Sequence, residues 1–140
     1  MEFVRVLHSG VRWLVLLNAI IILVYFALAF LQSRPWEKRS QTLLTIFSSL
    51  IGVQWVLGLV MLLWQGSLTG FGLRHYWEHL FLQTIALAVA HLHFRWRRQS
   101  LADRVRYRNG LVLVIAVFAL IIVGILVLPQ GIQWRIYTGA

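Results

Sequence analysis

The stretch that decides the fold is VRWLVLLNAIIILVYFALAFLQ, residues 11–32, in which Arg12 is the only charged residue. A helix needs about 20 predominantly apolar residues to cross the hydrocarbon layer of a membrane. The run is longer than the roughly 7–15 apolar residues of a secretory signal peptide, and a second apolar run follows it. We therefore expect residues 11–32 to form a retained transmembrane helix.

The rest of the chain has the same apolar character. Of the 140 residues, 60% are hydrophobic and 12% are charged, whereas an ordinary soluble domain is about half apolar and a quarter charged. The chain is short enough to form one membrane domain, residues 1–140. Three further runs are long enough to span a membrane: residues 42–64, 76–94 and 111–129. The expected fold is all-α, an integral membrane, antiparallel four-helix bundle.

Basic residues are distributed unequally among the connections between these spans. The second connection contains only Arg74. The first and third connections contain Arg34, Lys38, Arg39, Arg95, Arg97, Arg98, Arg104, Arg106 and Arg108. Because basic residues favour the cytoplasmic side, we expect both termini on the outer, periplasmic side of the bacterial inner (cytoplasmic) membrane.

The net charge and the cysteine content exclude several classes of function. The formal charge of +9 lies mostly in those short connections, which favours contact with lipid head groups over nucleic acid. The chain contains no cysteine. Structural disulfides, thiolate iron–sulfur ligation and covalent C-x-x-C-H haem attachment are therefore excluded.

Histidines are the residues best suited to carry chemistry here, because ionisable side chains at or inside a span are costly and usually functional. The chain has five: His8, His75, His79, His91 and His93. At about 100° per residue, one face of the third helix carries His75, His79, Gln83, Ala86, Ala90 and His93. His8 and His79 begin the first and third spans on the same side. Two imidazoles at one depth are the ligand set of a b-type haem.

The predicted site is one non-covalent haem b with His8 and His79 as axial ligands to the iron. Arg12, one turn after His8, is predicted to pair with a haem propionate. Glu78 is predicted to accept a hydrogen bond from a histidine or from Arg12. Ala86 would leave room for the flat macrocycle.

Other interpretations of these polar residues remain open. Interfacial histidines often serve as polar anchors only, and HYWEH, residues 75–79, suits zinc or copper if a third ligand is found. His93 follows His79 by 14 positions, the spacing of a dihaem helix, but no histidine is placed to pair with it. We expect His93 near the inner interface instead. Gln54 would contact a quinone head group or, as we favour, bond between helices.

Three motifs resemble a known family. They are HSGVRW at residues 8–13, the pair Gln54 and Gly58 in the second span, and the pair Glu78 and His79 in the third. This pattern is similar to small bacterial four-helix membrane proteins labelled cytochrome B. Members often have a histidine where this chain has Gly52. The resemblance implies haem binding, or a place as an accessory subunit of a larger respiratory or photosynthetic complex.

The first functional hypothesis is a b-type cytochrome or cytochrome-like subunit that carries electrons near the outer face. No catalytic motif indicates a stand-alone enzyme, and the expected partners are the lipid bilayer and other subunits of an electron-transfer complex. The second hypothesis is a haem-free accessory subunit. A third is a membrane protein that binds a chlorophyll-type pigment through one histidine.

Overall fold

The structure is a computed structural model that describes residues 1–139. Its helices are α1 (Glu2–Leu31), α2 (Lys38–Thr69), α3 (Arg74–Ala90), the short α4 (His93–Arg97) and α5 (Asp103–Leu126). No strand occurs among the described residues. The all-α prediction is therefore confirmed.

Three helices, α1, α2 and α5, are long and apolar enough to cross a membrane. Large apolar side chains remain exposed along them, for example Leu17 at 55% and Val112 at 63%. Such a surface is unfavourable in water and favourable against lipid tails. The chain is therefore a membrane protein whose apolar helices suggest contact with lipid.

Each long helix packs against two others. α1 contacts α2 and α5, and α3 contacts the same two helices. The buried core between them is formed by Ala19, Ile22, Phe26, Ala29, Leu44, Phe47, Ala86, Ala90, Val114 and Val117. Ser9 near the start of α1 accepts a hydrogen bond from the backbone of Tyr137, which follows α5. We call this end, where α1 begins and α5 ends, the terminal end of the helices.

Aromatic and polar contacts join the helices at the opposite end. The ring of Phe26 packs edge-on against Tyr107 and Trp36, at centroid distances of 5.2 and 5.5 Å. The Tyr107 hydroxyl donates to the Pro35 carbonyl and lies 2.8 Å from the Ser40 hydroxyl. These bonds fix α5 against the connection between α1 and α2.

The helix of the predicted third span, α3, has 17 residues and is not among the helices long and apolar enough to cross a membrane. It also ends earlier than the sequence predicts. We expected it to continue to residue 94, but α3 ends at Ala90 and a turn over residues 91–92 separates it from α4. The His91 imidazole donates to the Leu87 carbonyl, while the His91 backbone N–H bonds to Ala88. The side chain thus occupies the carbonyl that the next helical turn would use, a known way to end a helix.

Candidate functional site

A cavity of about 660 Å³ lies among the helices at the terminal end. Its walls come from α1, α2, α3 and α5, together with the segment that follows α5. His8, Arg12 and His79, three of the five predicted site residues, line it. The volume falls within the range of about 300–1,000 Å³ that is usual for small-molecule sites.

His8 lies inside α1 and packs against α2. We expected this residue at the helix start, but α1 already begins at Glu2, where an acidic side chain suits the positive end of the helix dipole. Gly58 of α2 makes room for the ring, because a β-carbon there would lie 3.1 Å from His8 Cε1. The Gln54 amide Nε2 lies 3.3 Å from His8 Nε2. Gln54 therefore bonds between helices, as we favoured.

His79 is oriented by the backbone of α5. Its Nδ1 lies 2.6 Å from the Gly124 carbonyl oxygen. A carbonyl only accepts, so Nδ1 carries the proton and Nε2 is left as a lone-pair acceptor. Histidines that bind metals usually donate their other ring N–H in this way, which fixes the tautomer and the ring orientation.

Arg12 has a role that the sequence did not suggest. Its Nη1 and Nη2 donate to the carbonyls of Gln133 and Arg135, at 2.8 and 2.9 Å. The Trp13 and Trp134 rings pack beside this contact, with centroids 6.3 Å apart. Arg12 therefore fastens the segment after α5 to α1, while its Nε has no hydrogen-bond partner among residues 1–139.

Glu78 and Ala86 lie outside the cavity lining. The Glu78 carboxylate is half-exposed and pairs with Arg74, one turn earlier on α3. Ala86 is completely buried in the core between the helices. In the structure Glu78 pairs with Arg74, not with a site histidine or Arg12. Ala86 packs in the core.

The remaining histidines do not line the cavity. His93 is buried and its two ring nitrogens lie 3.2 and 3.0 Å from Gln41 Nε2 and Ser48 Oγ. Gln41 donates to Nδ1 and Nε2 donates to Ser48, so this imidazole ties α4 to α2 with both nitrogens engaged. Within residues 1–139, no three His, Cys, Asp or Glu side chains gather as a metal site would require.

Buried polar atoms without partners concentrate at the cavity. Among residues 1–139, the buried side-chain atoms that lack a hydrogen-bond partner are His8 Nδ1, Arg12 Nε, Gln54 Oε1 and Asn18 Oδ1. The first three belong to residues that line the cavity. Leaving a buried polar group unpaired costs about 1–3 kcal/mol, so the hydrogen bonding of the protein is least complete at the residues that line this cavity.

The segment after α5 is the part of the site that sequence reasoning missed. Residues 127–139 return over the start of α1 and contribute Leu128, Ile132, Arg135, Ile136, Tyr137, Thr138 and Gly139 to the cavity lining. The Gln133 side chain donates to the carbonyls of Leu126 and Leu128, which begins this return. The only signal in the sequence was the run PQGIQW, which ends the helix without indicating a direction.

The site is a pocket between helices, lined by the pre-oriented His79 imidazole, the His8 imidazole and three arginines, Arg5, Arg12 and Arg135. No family model, no curated protein and no solved structure matches this chain, so the chemistry of the cavity rests on its own residues.

Proposed function

We propose that this chain is a membrane subunit that binds one b-type haem in the cavity at the terminal end, held by His8 and His79. The observation that carries the proposal is that these two histidines, from different helices, line one cavity and that His79 is held with Nε2 available. The resemblance to small cytochrome-B-like proteins supports the same assignment.

The residues present fit such a group. The cavity combines apolar walls, including Val15, Ile51 and Ile121, with a few polar groups, as small-molecule sites usually do. Gln54 donates to His8 Nε2, so His8 Nδ1 carries the proton and has no acceptor; iron bound at Nε2 would take the place of the Gln54 hydrogen bond. Held by two histidines, haem iron supplies reversible one-electron transfer.

The protein's own contribution would be orientation and exclusion of water. The Gly124 carbonyl holds the His79 ring in one tautomer and makes Nε2 a better donor to a metal. Gln54 holds the His8 ring against Gly58. The segment after α5, fastened by Arg12, covers the start of α1. A site so enclosed suits electron transfer better than bond chemistry on a diffusible substrate.

We further propose an antiparallel four-helix bundle in the bacterial inner membrane, with both termini on the outer side. His8 meets Gly58 near the end of α2, and Phe26 near the end of α1 meets Gly110 near the start of α5, which supports alternating helix directions. The basic residues between α1 and α2 and between α3 and α5 support the sidedness. The haem would then lie near the outer face, where a partner subunit could exchange electrons with it.

The first experiment is a dithionite-reduced minus oxidised visible spectrum of the full chain purified in mild detergent. We expect one haem b per chain, with the sharp alpha band of low-spin iron held by two histidines. A colourless protein that co-purifies in a larger assembly would contradict the proposal and would support the haem-free accessory subunit instead.

One observation favours a second candidate, a chlorophyll-type pigment held by a single histidine. His79 Nε2 makes no hydrogen bond within residues 1–139, whereas His8 Nε2 is already bonded to Gln54. A five-coordinate pigment needs only the first of these. The same spectrum separates the candidates, because such a pigment shows a strong red absorption band that does not change on reduction.

A glycine pair on α2 offers a matched test of the haem site. We expect Gly58→Val to lower haem content on the order of tenfold, since overpacking costs about 1–3 kcal/mol and would displace the His8 ring. Gly52→Val is the control, because a β-carbon at Gly52 meets no other residue within 4 Å. Haem content is measured per chain by the pyridine haemochrome assay. Equal haem loss in both variants would show that His8 does not take part.

A further inference from the structure

The lining of the cavity is strongly cationic. Arg5, Arg12 and Arg135 line the cavity, whereas Glu2 is the only acidic side chain that does so. The chain has only four acidic residues in all. Guanidinium groups near the hydrocarbon layer are costly unless they are paired. Arg135 is exposed and Arg5 is partly exposed, so both guanidinium groups are accessible to an anionic partner at the cavity.

The three arginines differ in how far the protein already uses them. Arg12 Nη1 and Nη2 are engaged by backbone carbonyls, one of which belongs to Arg135 itself. Arg12 is therefore a positioning residue that fixes the backbone carrying Arg135. The Arg135 guanidinium lies 5.0 Å from the Tyr137 ring centroid. Within residues 1–139, it donates to no carboxylate, carbonyl or side-chain acceptor.

Arg5 is only loosely held by its neighbours. Its Nη1 lies 3.8 Å from Glu2 Oε2, and both side chains are about half-exposed. Its Nη2 lies 3.4 Å from Gln65 Oε1. Exposed pairs at such distances contribute about 0–1 kcal/mol, so a ligand carboxylate could replace them with little loss.

We propose that Arg5 and Arg135 form a carboxylate subsite that binds the two propionates of the haem, an inference that rests on the proposed function. Haem b is an apolar macrocycle with two carboxylates on one edge. The cavity presents apolar side chains such as Val15 and Ile121 together with these two guanidinium groups. Arginine suits the partner role because its planar fork binds a carboxylate through two parallel hydrogen bonds. Arg12 contributes by holding the backbone of Arg135.

The test compares two forms of one ligand. The full chain, purified without haem, is titrated in detergent with ferric protoporphyrin IX and with its dimethyl ester, which keeps the iron but has neutral side chains. The Soret band reports binding. Because hydrogen bonds to charged groups are stronger than those between neutral groups, we expect the wild type to prefer the free acid by at least roughly tenfold. The double variant Arg5→Gln and Arg135→Gln should lose this preference and still bind the ester normally.

Normal ester binding by the double variant also demonstrates that it is folded. The charge-matched control is Arg34→Gln with Arg98→Gln, two exposed arginines that do not line the cavity, and it should keep the wild-type preference. Equal binding of acid and ester by the wild type, or an unchanged preference in the double variant, would overturn the subsite and leave the haem site standing. Failure of the wild type to bind either form would overturn the proposed function itself.

Discussion

Replacing His79 by alanine is expected to abolish the low-spin haem spectrum of the purified protein. His79 is the residue whose imidazole the fold itself orients, through the hydrogen bond from Nδ1 to the Gly124 carbonyl. Removing the ring takes away a ligand of the iron and leaves that buried carbonyl without its partner. We expect less than about a tenth of the wild-type haem to remain, since a loss of 1.4 kcal/mol already corresponds to tenfold.

His75→Ala is the matched control for this variant. His75 lies one helical turn before His79 on α3, its ring is tilted against that of Tyr76, and it does not line the cavity. It should therefore retain the wild-type haem content. His8→Ala should give a different result, because His79 remains available as a ligand. We expect bound haem with a high-spin absorption spectrum, which added imidazole should convert back to a low-spin spectrum. Unchanged spectra in both the His8 and the His79 variants would rule out these two residues as ligands.

The helices could be predicted because apolar run length is a strong and local signal. The prediction is weakest where a single side chain decides a boundary. The predicted third span continues past residue 90 to residue 94, because Leu92 and Phe94 are still apolar. The helix ends because the His91 side chain takes the Leu87 carbonyl, a contact that depends on one rotamer. The start of α1 at Glu2 was not predicted, because the first residues of this helix include polar side chains and resemble a loop.

The sequence predicts the side chains of the site but not the backbone groups that orient them. Helical spacing and topology bring His8 and His79 to the same cavity. The groups that orient His79 and engage Arg12 are backbone carbonyls of Gly124, Gln133 and Arg135. Every residue has a carbonyl, so no sequence pattern distinguishes the ones that a folded chain will use. Glu78 illustrates the same limit, because Arg74 one turn away competes for it on the exposed side of α3.

The variant Gly110→Ala is expected to cause a large loss of stability, because it overfills the contact between α1 and α5. Gly110 lies where α5 crosses α1, and an added β-carbon would lie 2.5 Å from Phe26 Cε2 and 2.7 Å from Cδ2. Carbon atoms in contact prefer separations of about 3.5–4.0 Å. The Phe26 ring is completely buried, so it can yield only by moving its neighbours.

Those neighbours leave Phe26 no room to yield, which is why we expect a cost of about 1–3 kcal/mol. Its ring packs edge-on against both Tyr107 and Trp36, and Tyr107 is itself held by the Pro35 carbonyl. Thermal unfolding in detergent measures the loss, with Gly52→Ala as the control at a position without neighbours within 4 Å. Adding Phe26→Leu to Gly110→Ala should recover part of the stability, because the smaller side chain relieves the overlap, and this double-mutant cycle isolates the pair. If Gly110→Ala and Gly52→Ala unfolded at the same temperature, this result would contradict the close contact between α1 and α5 at Gly110.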